Sequence, residues 1–163
     1  RVFDRIERSR PLLVEMDAVV APSSLPSPRR NVVGWDSSRL AMLTAVLEAR
    51  CGVPLSGRDI FLNVAGGLKI SETAADLAVA GALISSVTGR AAPARTVFFG
   101  EVALSAELRQ VAQAEARLKE AAKLGFDNAV LPRPRKKLLA PEGISLSQPA
   151  TLAELIDMMG GTS

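Results

Sequence analysis

The residue types that most often carry chemistry are scarce in this sequence. Its 163 residues include no histidine and a single cysteine, Cys51. Without histidine, the commonest general base and the usual serine or cysteine triads are excluded. One cysteine excludes an internal disulfide and any multi-cysteine zinc site within these residues, and no basic or histidine partner is evident to activate its thiol. We therefore expect Cys51 to be a partly buried structural thiol at a helix end.

Two clusters of basic residues have the composition of a phosphate-contacting surface. The denser one is RPRKK, with Arg133, Arg135, Lys136 and Lys137, and the other is the pair Arg29–Arg30 at the end of a loop rich in Pro and Ser. Each phosphate that such residues neutralise adds salt-dependent affinity. A solvated surface loop is the alternative for both clusters. For the arginine pair, contact with an ATPase domain or a neighbouring subunit suits the guanidinium equally well.

The overall charge does not choose between these interpretations. The formal net charge is +3, which permits contact with nucleic acid without requiring it. Gly66–Gly67 before Lys69 is not a nucleotide-binding loop, because the Walker pattern G-x-x-x-x-G-K-[ST] is absent, and a tight turn is the better interpretation. No apolar stretch is long enough to span a bilayer, and no signal peptide is recognisable, so we expect a cytoplasmic protein.

The elements that must position these residues follow from periodicity and from helix caps. Asp36 or Ser37 begins a helix that Gly52 ends, and Ser71 or Thr73 begins a second helix of small and apolar residues that should be buried. Further helices are predicted at 114–123 and 151–159, the second with Thr151 or Gln148 near its cap. Strands are predicted at 11–20, 31–35, 59–65, 96–104, 107–112, 128–132 and 143–147. The strand 96–104 should be broken or bent near Gly100, and 97–112 forms a hairpin. The pattern predicts an α/β (α+β) fold, a mixed sheet with packed helices, in one domain spanning 1–163.

Several of these segments resemble one family in order and spacing. RPLLVEMDAVVAP, IFLNVAGGLKISETAADLAVAGALISS and FGEVALSAELRQVAQAEARLKEAAKLGF resemble the Lon-protease-like domain of the RadA (Sms) family of bacterial DNA repair ATPases. The resemblance runs from about Ser9 to Pro132 and, more weakly, to the last helix. It implies a Lon proteolytic-domain-like fold. It also implies that the chain, which begins with Arg rather than Met, is part of a longer protein.

More distantly, the same segments resemble the proteolytic domain of Lon, which uses a serine and a lysine. In that comparison Ala74 occupies the position of the serine and Glu115 that of the lysine. A methyl group cannot attack a carbonyl, and a carboxylate cannot replace the amine that activates the nucleophile. The resemblance therefore implies a degenerate, inactive dyad. Ser71 and Lys119 are the nearest substitutes, and we expect them to be a capping serine and a surface lysine.

The RadA resemblance implies a role in assembly and DNA binding. The family carries a zinc finger and a RecA-like ATPase core outside this domain, so ATP, Mg and Zn are implied for the other domains and no cofactor for residues 1–163. It assembles as a hexameric ring that drives branch migration of recombination intermediates, with DNA, other copies of itself and the recombinase RecA as implied partners. The candidate DNA-binding residues are Arg29, Arg30, Arg133, Arg135, Lys136 and Lys137. The alternatives are a pure oligomerisation domain without DNA contact and an active Ser–Lys peptidase.

Overall fold

The computed structural model describes residues 2–7, 10–64 and 73–160 of the chain. Within these residues, helices alternate with strands, and the strands form a four-stranded sheet, a three-stranded sheet and a two-stranded hairpin. The prediction of an α/β (α+β) fold with a mixed sheet, a hairpin and packed helices is confirmed.

The first sheet has the strand order β1-β2-β4-β3. Strand β2 (Arg10–Pro22) pairs antiparallel with β1 (Val2–Glu7) on one side and with β4 (Arg58–Val64) on the other, and β3 (Arg30–Val33) runs parallel to β4. The sequence does not predict β1, because half of its residues, VFDRIE, are charged, which is unusual in a strand. Pairing along the long strand β2 compensates for that weak local preference.

The second sheet is parallel and begins with β5 (Thr96–Phe98). A short hairpin of β6 (Glu101–Val102) and β7 (Leu108–Arg109) follows, and then β8 (Asn128–Val130) and β9 (Ser145–Ser147) complete the order β5-β8-β9. The predicted bend near Gly100 is confirmed, since the chain leaves β5 there and enters the hairpin. The observed strands of this sheet and of the hairpin are shorter than the predicted ones, whereas β2 is longer than the predicted strand 11–20.

Four helices of the described residues cover the sheets, and local signals mark both ends of the first helix and the start of the last. Helix α1 (Ser37–Cys51) begins where the Asp36 carboxylate accepts a hydrogen bond from the Ser38 N–H at 2.7 Å, and it ends at Gly52, whose φ is 67°. A 3₁₀ turn at Thr73–Ala75 leads into α2 (Asp76–Thr88). Helix α3 (Ala114–Lys123) and helix α4 (Leu152–Met158) follow, with Thr151 capping α4 as predicted.

Helix α2 is the centre of the larger hydrophobic core, as its composition predicts. Every residue from Asp76 to Ile84 is buried. The helix contacts α1, β2, β5 and β6. Its small residues allow this close approach: a Cβ atom added to Gly81 would lie 3.1 Å from Cε2 of Phe98 on β5. A second cluster, formed by Val97, Phe99, Leu118, Ala121, Ala129, Leu131 and Ile144, packs α3 against the parallel sheet.

One buried ion pair fastens the start of α2 to its neighbours. The Asp76 carboxylate is fully buried and accepts hydrogen bonds from Nε of Arg39 on α1 at 2.8 Å and from the Val102 N–H on β6 at 3.0 Å. Nη2 of Arg39 donates a further bond to the same carboxylate. Three elements that are distant in sequence therefore meet at one carboxylate, which we call the Asp76 clamp.

Burial and hydrogen bonding have opposite effects on the charge of this carboxylate. Burial raises the pKa of Asp76 above its ordinary value of 3.8, while the bonds from Arg39 and Val102 act to lower it. The hydrogen bond to Asp76 in turn raises the pKa of Arg39. Because Arg39 retains 24% of its side-chain exposure and Asp76 retains none, the carboxylate loses more if the pair is broken.

Replacing Arg39 by methionine tests the Asp76 clamp. We expect Arg39→Met to lower the free energy of unfolding at pH 7 by about 3 kcal/mol, because it leaves a buried carboxylate without its cationic partner. Burial raises the pKa of Asp76 in the folded state above the value of 3.8 that it has in the unfolded state. Such a carboxyl stabilises the fold at a pH below its unfolded-state pKa, and this contribution is lost as the pH rises through its folded-state pKa. The deficit should therefore shrink as the pH falls from 7 towards 4, as measured by urea denaturation.

The control for this experiment lies on the same helix. Arg50 is an exposed residue in the last turn of α1, so Arg50→Met removes the same charge without touching the clamp. We expect it to change the free energy of unfolding by less than about 0.5 kcal/mol. Equal deficits in the two variants, or a deficit of Arg39→Met that is independent of pH, would show that the clamp does not stabilise the fold.

Candidate nucleic-acid interface

The two positions that the Lon resemblance assigns to a peptidase dyad carry no groups suited to that reaction. Ala74 lies in the 3₁₀ turn before α2 with 1% of its surface exposed, and its carbonyl accepts a hydrogen bond from the Gly100 N–H at 2.9 Å. Glu115 lies half-buried in the first turn of α3. A methyl group and a carboxylate at these positions cannot supply a nucleophile and an activating amine.

The alternative nucleophiles differ in how they are placed. Ser71 lies outside the described residues, as do Gly66, Gly67 and Lys69. Lys119 is exposed on α3. Cys51 is half-buried at the end of α1, and burial raises the pKa of its thiol, which disfavours the reactive thiolate. The prediction that Cys51 is a partly buried thiol is confirmed.

Arg29 is committed to a contact within the chain. Its Nε and Nη2 donate to Oδ2 of Asp59 at 3.2 and 2.8 Å, and its backbone N–H donates to Oδ1 at 2.7 Å. These bonds lower the pKa of Asp59 to about 2. The guanidinium also lies over the ring of Phe61, 5.6 Å from its centroid. Arg29 thereby fastens the end of the loop before β3 to strand β4, although its side chain stays 57% exposed.

Arg30 lies at a different feature, an apolar groove between β3 and α1. Its Nη2 donates to the Leu55 carbonyl at 2.9 Å. The groove has a volume of about 250 Å³, and Val32, Leu40, Ala41 and Ala45 line it together with Arg30. This position suits a contact with protein at least as well as a contact with phosphate.

The second basic cluster lies in the loop between β8 and β9 and forms part of a polar groove. Arg133 and Arg135 line this groove of about 670 Å³ together with Glu107, Leu108, Arg109 and Gln110 from the β6–β7 hairpin. Arg109, Arg133 and Arg135 are all exposed. We call this feature the arginine groove. Lys136 and Lys137 are exposed in the same loop but do not line the groove.

A short backbone segment brings the two sides of the arginine groove together. The Ala150 carbonyl accepts from the Leu108 N–H at 2.9 Å, and the Pro149 carbonyl accepts from the Arg133 N–H at 3.2 Å. The Gln110 side chain adds a bond from Nε2 to the Arg133 carbonyl at 3.4 Å. The segment before α4 thus holds the hairpin and the basic loop side by side.

Sequence reasoning missed Arg109 and Gln110 as members of this groove. The predicted strand 107–112 includes both residues, whereas the observed strand β7 contains Arg109 and ends before Gln110. A hairpin has no local signal that tells which distant loop lies beside it. The described geometry offers three guanidinium groups along one open groove, which suits a row of phosphates. It does not bring Arg29 or Arg30 into that groove, because these residues lie beside β4 and α1.

The described part of the chain offers neither a metal site nor a membrane span. Among these residues, no three side chains of the His, Cys, Asp and Glu types cluster so that they could hold a metal ion. The helices described here are also too short or too polar to cross a membrane. The arginine groove is therefore the feature with the clearest ligand chemistry.

Comparison with known proteins gives two consistent results. The family model described as subunit ChlI of Mg-chelatase matches residues 36–135. "DNA repair protein RadA" of Brucella abortus is 54% identical over 155 residues, which is 95% of this chain and 33% of that protein. The RadA proteins of Rickettsia bellii and Pseudomonas aeruginosa are 54% and 45% identical over 79% and 94% of this chain.

These matches cover only part of the relatives. The chain spans about one third of the length of the curated RadA proteins that it matches. The same region is matched in each case at an identity far above the level at which folds diverge, and the RadA resemblance stated from the sequence is confirmed. The chain belongs to the family that the ChlI model describes, and within it to the RadA group of DNA repair proteins, of which it represents one domain-sized part.

Proposed function

We propose that this chain is a non-proteolytic, Lon-like domain of a RadA-type DNA repair protein and that it binds the backbone of double-stranded DNA. The observation that carries the proposal is the arginine groove, where Arg109, Arg133 and Arg135 line one open surface. Guanidinium groups bind phosphate oxygens in a forked geometry, and several together recognise a regular row of phosphates. None of the described residues that line the groove is aromatic, so these residues do not offer the stacking platform typical of single-strand binding.

The wider role of the domain is part of the same proposal. The RadA resemblance supports a single domain, residues 1–163, that helps to hold a hexameric ring in the cytoplasm while another part of the protein hydrolyses ATP with Mg. Zinc would belong to a separate finger. The ring would act in branch migration, and RecA would be a partner. The relatives' name, DNA repair protein, agrees with this role.

The four other candidate DNA-binding residues differ in how well their surroundings suit the role. Lys136 and Lys137 directly follow Arg135 in the sequence, and both are exposed. They can extend the basic surface of the arginine groove along a duplex. Arg29 and Arg30 already donate to Asp59 and to the Leu55 carbonyl, so they would have to exchange these bonds for phosphate. We expect the groove and the lysines to contribute more to DNA affinity than the Arg29–Arg30 pair.

A salt titration tests the DNA-binding proposal. We expect the chain to bind a 20-base-pair duplex with an affinity that falls linearly with salt on a logarithmic scale. The variant Arg133→Gln/Arg135→Gln should reduce the slope by about 2, because each lost phosphate contact removes about 0.9. Fluorescence anisotropy at salt concentrations from about 25 to about 200 mM measures the slope, because phosphate contacts weaken over roughly this range.

The matched control removes two charges elsewhere. Arg50→Gln/Arg58→Gln changes the net charge equally, at the ends of α1 and β4 and away from the groove. We expect this variant to keep the wild-type slope within about 0.5, since long-range charge effects are screened. Absence of binding at low salt, or equal slopes for the two variants, would contradict the proposal.

A purely structural role in assembly is the second candidate. Its supporting observation is the groove between β3 and α1, beside a strand that ends the sheet in the described part of the chain and exposes 63% of Val33. Open strand edges beside apolar surface are frequently covered in an assembly. A multimeric mass in light scattering, together with no DNA binding, would favour this candidate over the first.

The peptidase alternative has a direct test as well. We expect the purified chain to release no fluorescence from a labelled casein above the buffer rate, because Ala74 and Glu115 cannot act as nucleophile and activator. Turnover that disappears in both Ser71→Ala and Lys119→Ala would contradict this expectation. Turnover that survives both substitutions would identify a contaminating protease.

A further inference from the structure

One arginine of the arginine groove is paired with an acidic residue of α4 that does not itself line the groove. Oε2 of Glu154 on α4 lies 3.6 Å from Nη2 of Arg133, in an ion pair whose side chains are 46% and 64% exposed. An ion pair that is so exposed contributes little to stability. It can therefore be exchanged for another anion at small cost to the fold.

The Glu154 carboxylate is held in place by the start of α4. The same Oε2 accepts a hydrogen bond from the Ala150 N–H at 2.7 Å, and the Glu154 N–H donates to Oγ1 of the capping residue Thr151 at 3.2 Å. Ala150 also accepts the backbone bond from Leu108 of the hairpin. The carboxylate is thus fixed relative to the groove, like the glutamate of a capping box, rather than being a freely moving surface group.

We propose, on the basis of the proposed function, that the Glu154 carboxylate competes with phosphate for the Arg133 guanidinium. A carboxylate tethered beside Arg133 has a high effective concentration, so a lone anion displaces it poorly. A duplex reaches Arg109 and Arg135 at the same time as Arg133, and its several contacts can offset the loss of one intramolecular pair. Glu107, which does line the groove, also repels phosphate. The groove thereby discriminates against isolated anions in favour of polyanions.

The variant Glu154→Gln separates the charge of this residue from its capping role. A glutamine carbonyl can still accept from the Ala150 N–H, so the start of α4 is retained, and a thermal melt checks this. We expect the variant to bind the 20-base-pair duplex about threefold more tightly at low salt, the effect of removing one negative charge roughly 6 Å from a phosphate in water. In an Arg133→Gln background the same substitution should have less effect, because the competition no longer exists.

The control and the outcomes distinguish this inference from the proposed function. Glu142→Gln removes one negative charge from an exposed loop residue that does not line the groove, and it should leave the affinity nearly unchanged. The inference is supported if Glu154→Gln binds the duplex clearly more tightly than wild type does, or if it is the only one of the three proteins that binds. Equal binding by wild type, Glu154→Gln and Glu142→Gln overturns the inference and leaves the proposed function standing. No binding by any of them overturns both.

Discussion

The Asp76 carboxylate is the point at which α1, α2 and the β6–β7 hairpin meet. A fully buried carboxylate is costly unless charged and polar donors surround it, and here Arg39 and the Val102 N–H supply them. Two backbone hydrogen bonds also join the start of α2 to the chain before the hairpin. The Leu77 N–H donates to the Gly100 carbonyl at 3.0 Å, and the Gly100 N–H donates to the Ala74 carbonyl. The hairpin that carries Arg109 is therefore anchored to the buried helix at its first strand. Its second strand is then free to form one side of the arginine groove.

Ala74 and Asp76 contribute to this junction in different ways. The Ala74 carbonyl accepts a hydrogen bond from the Gly100 N–H, and its small side chain is buried in the turn before α2. Asp76, two residues later, joins α1 and β6 to α2 through its carboxylate. The position that the Lon resemblance assigns to the nucleophile therefore lies beside the residue that holds these elements together.

Much of the fold could be predicted because its signals are local. The Asp36 cap, the Gly52 end, the buried character of α2 and the bend at Gly100 each depend on residues within a few positions of one another. The missed strand β1 depends instead on pairing with β2, against the weak strand preference of VFDRIE.

Contacts between residues that are distant in the sequence could not be predicted, because no local signal identifies the partner. Nothing in the sequence indicates that Asp76 pairs with Arg39, 37 positions away, although a carboxylate in an otherwise apolar helix signals that some partner must exist. Likewise, the sequence identified Arg133 and Arg135 as candidates by their density, but not Arg109, which joins them only through the fold. For Arg29, residue type alone could not separate a phosphate contact from the observed pair with Asp59.

We propose that DNA binds in the arginine groove rather than in the β3–α1 groove. Backbone amide NMR of the chain, titrated with a short duplex at low salt, tests it most directly because it locates the contact without any substitution. We expect the largest shifts at Arg109, Gln110, Arg133 and Arg135, with small shifts at Val32 and Ala41 beside the other groove. Shifts concentrated around β3 and α1, or spread evenly over the basic residues of the chain, would contradict it.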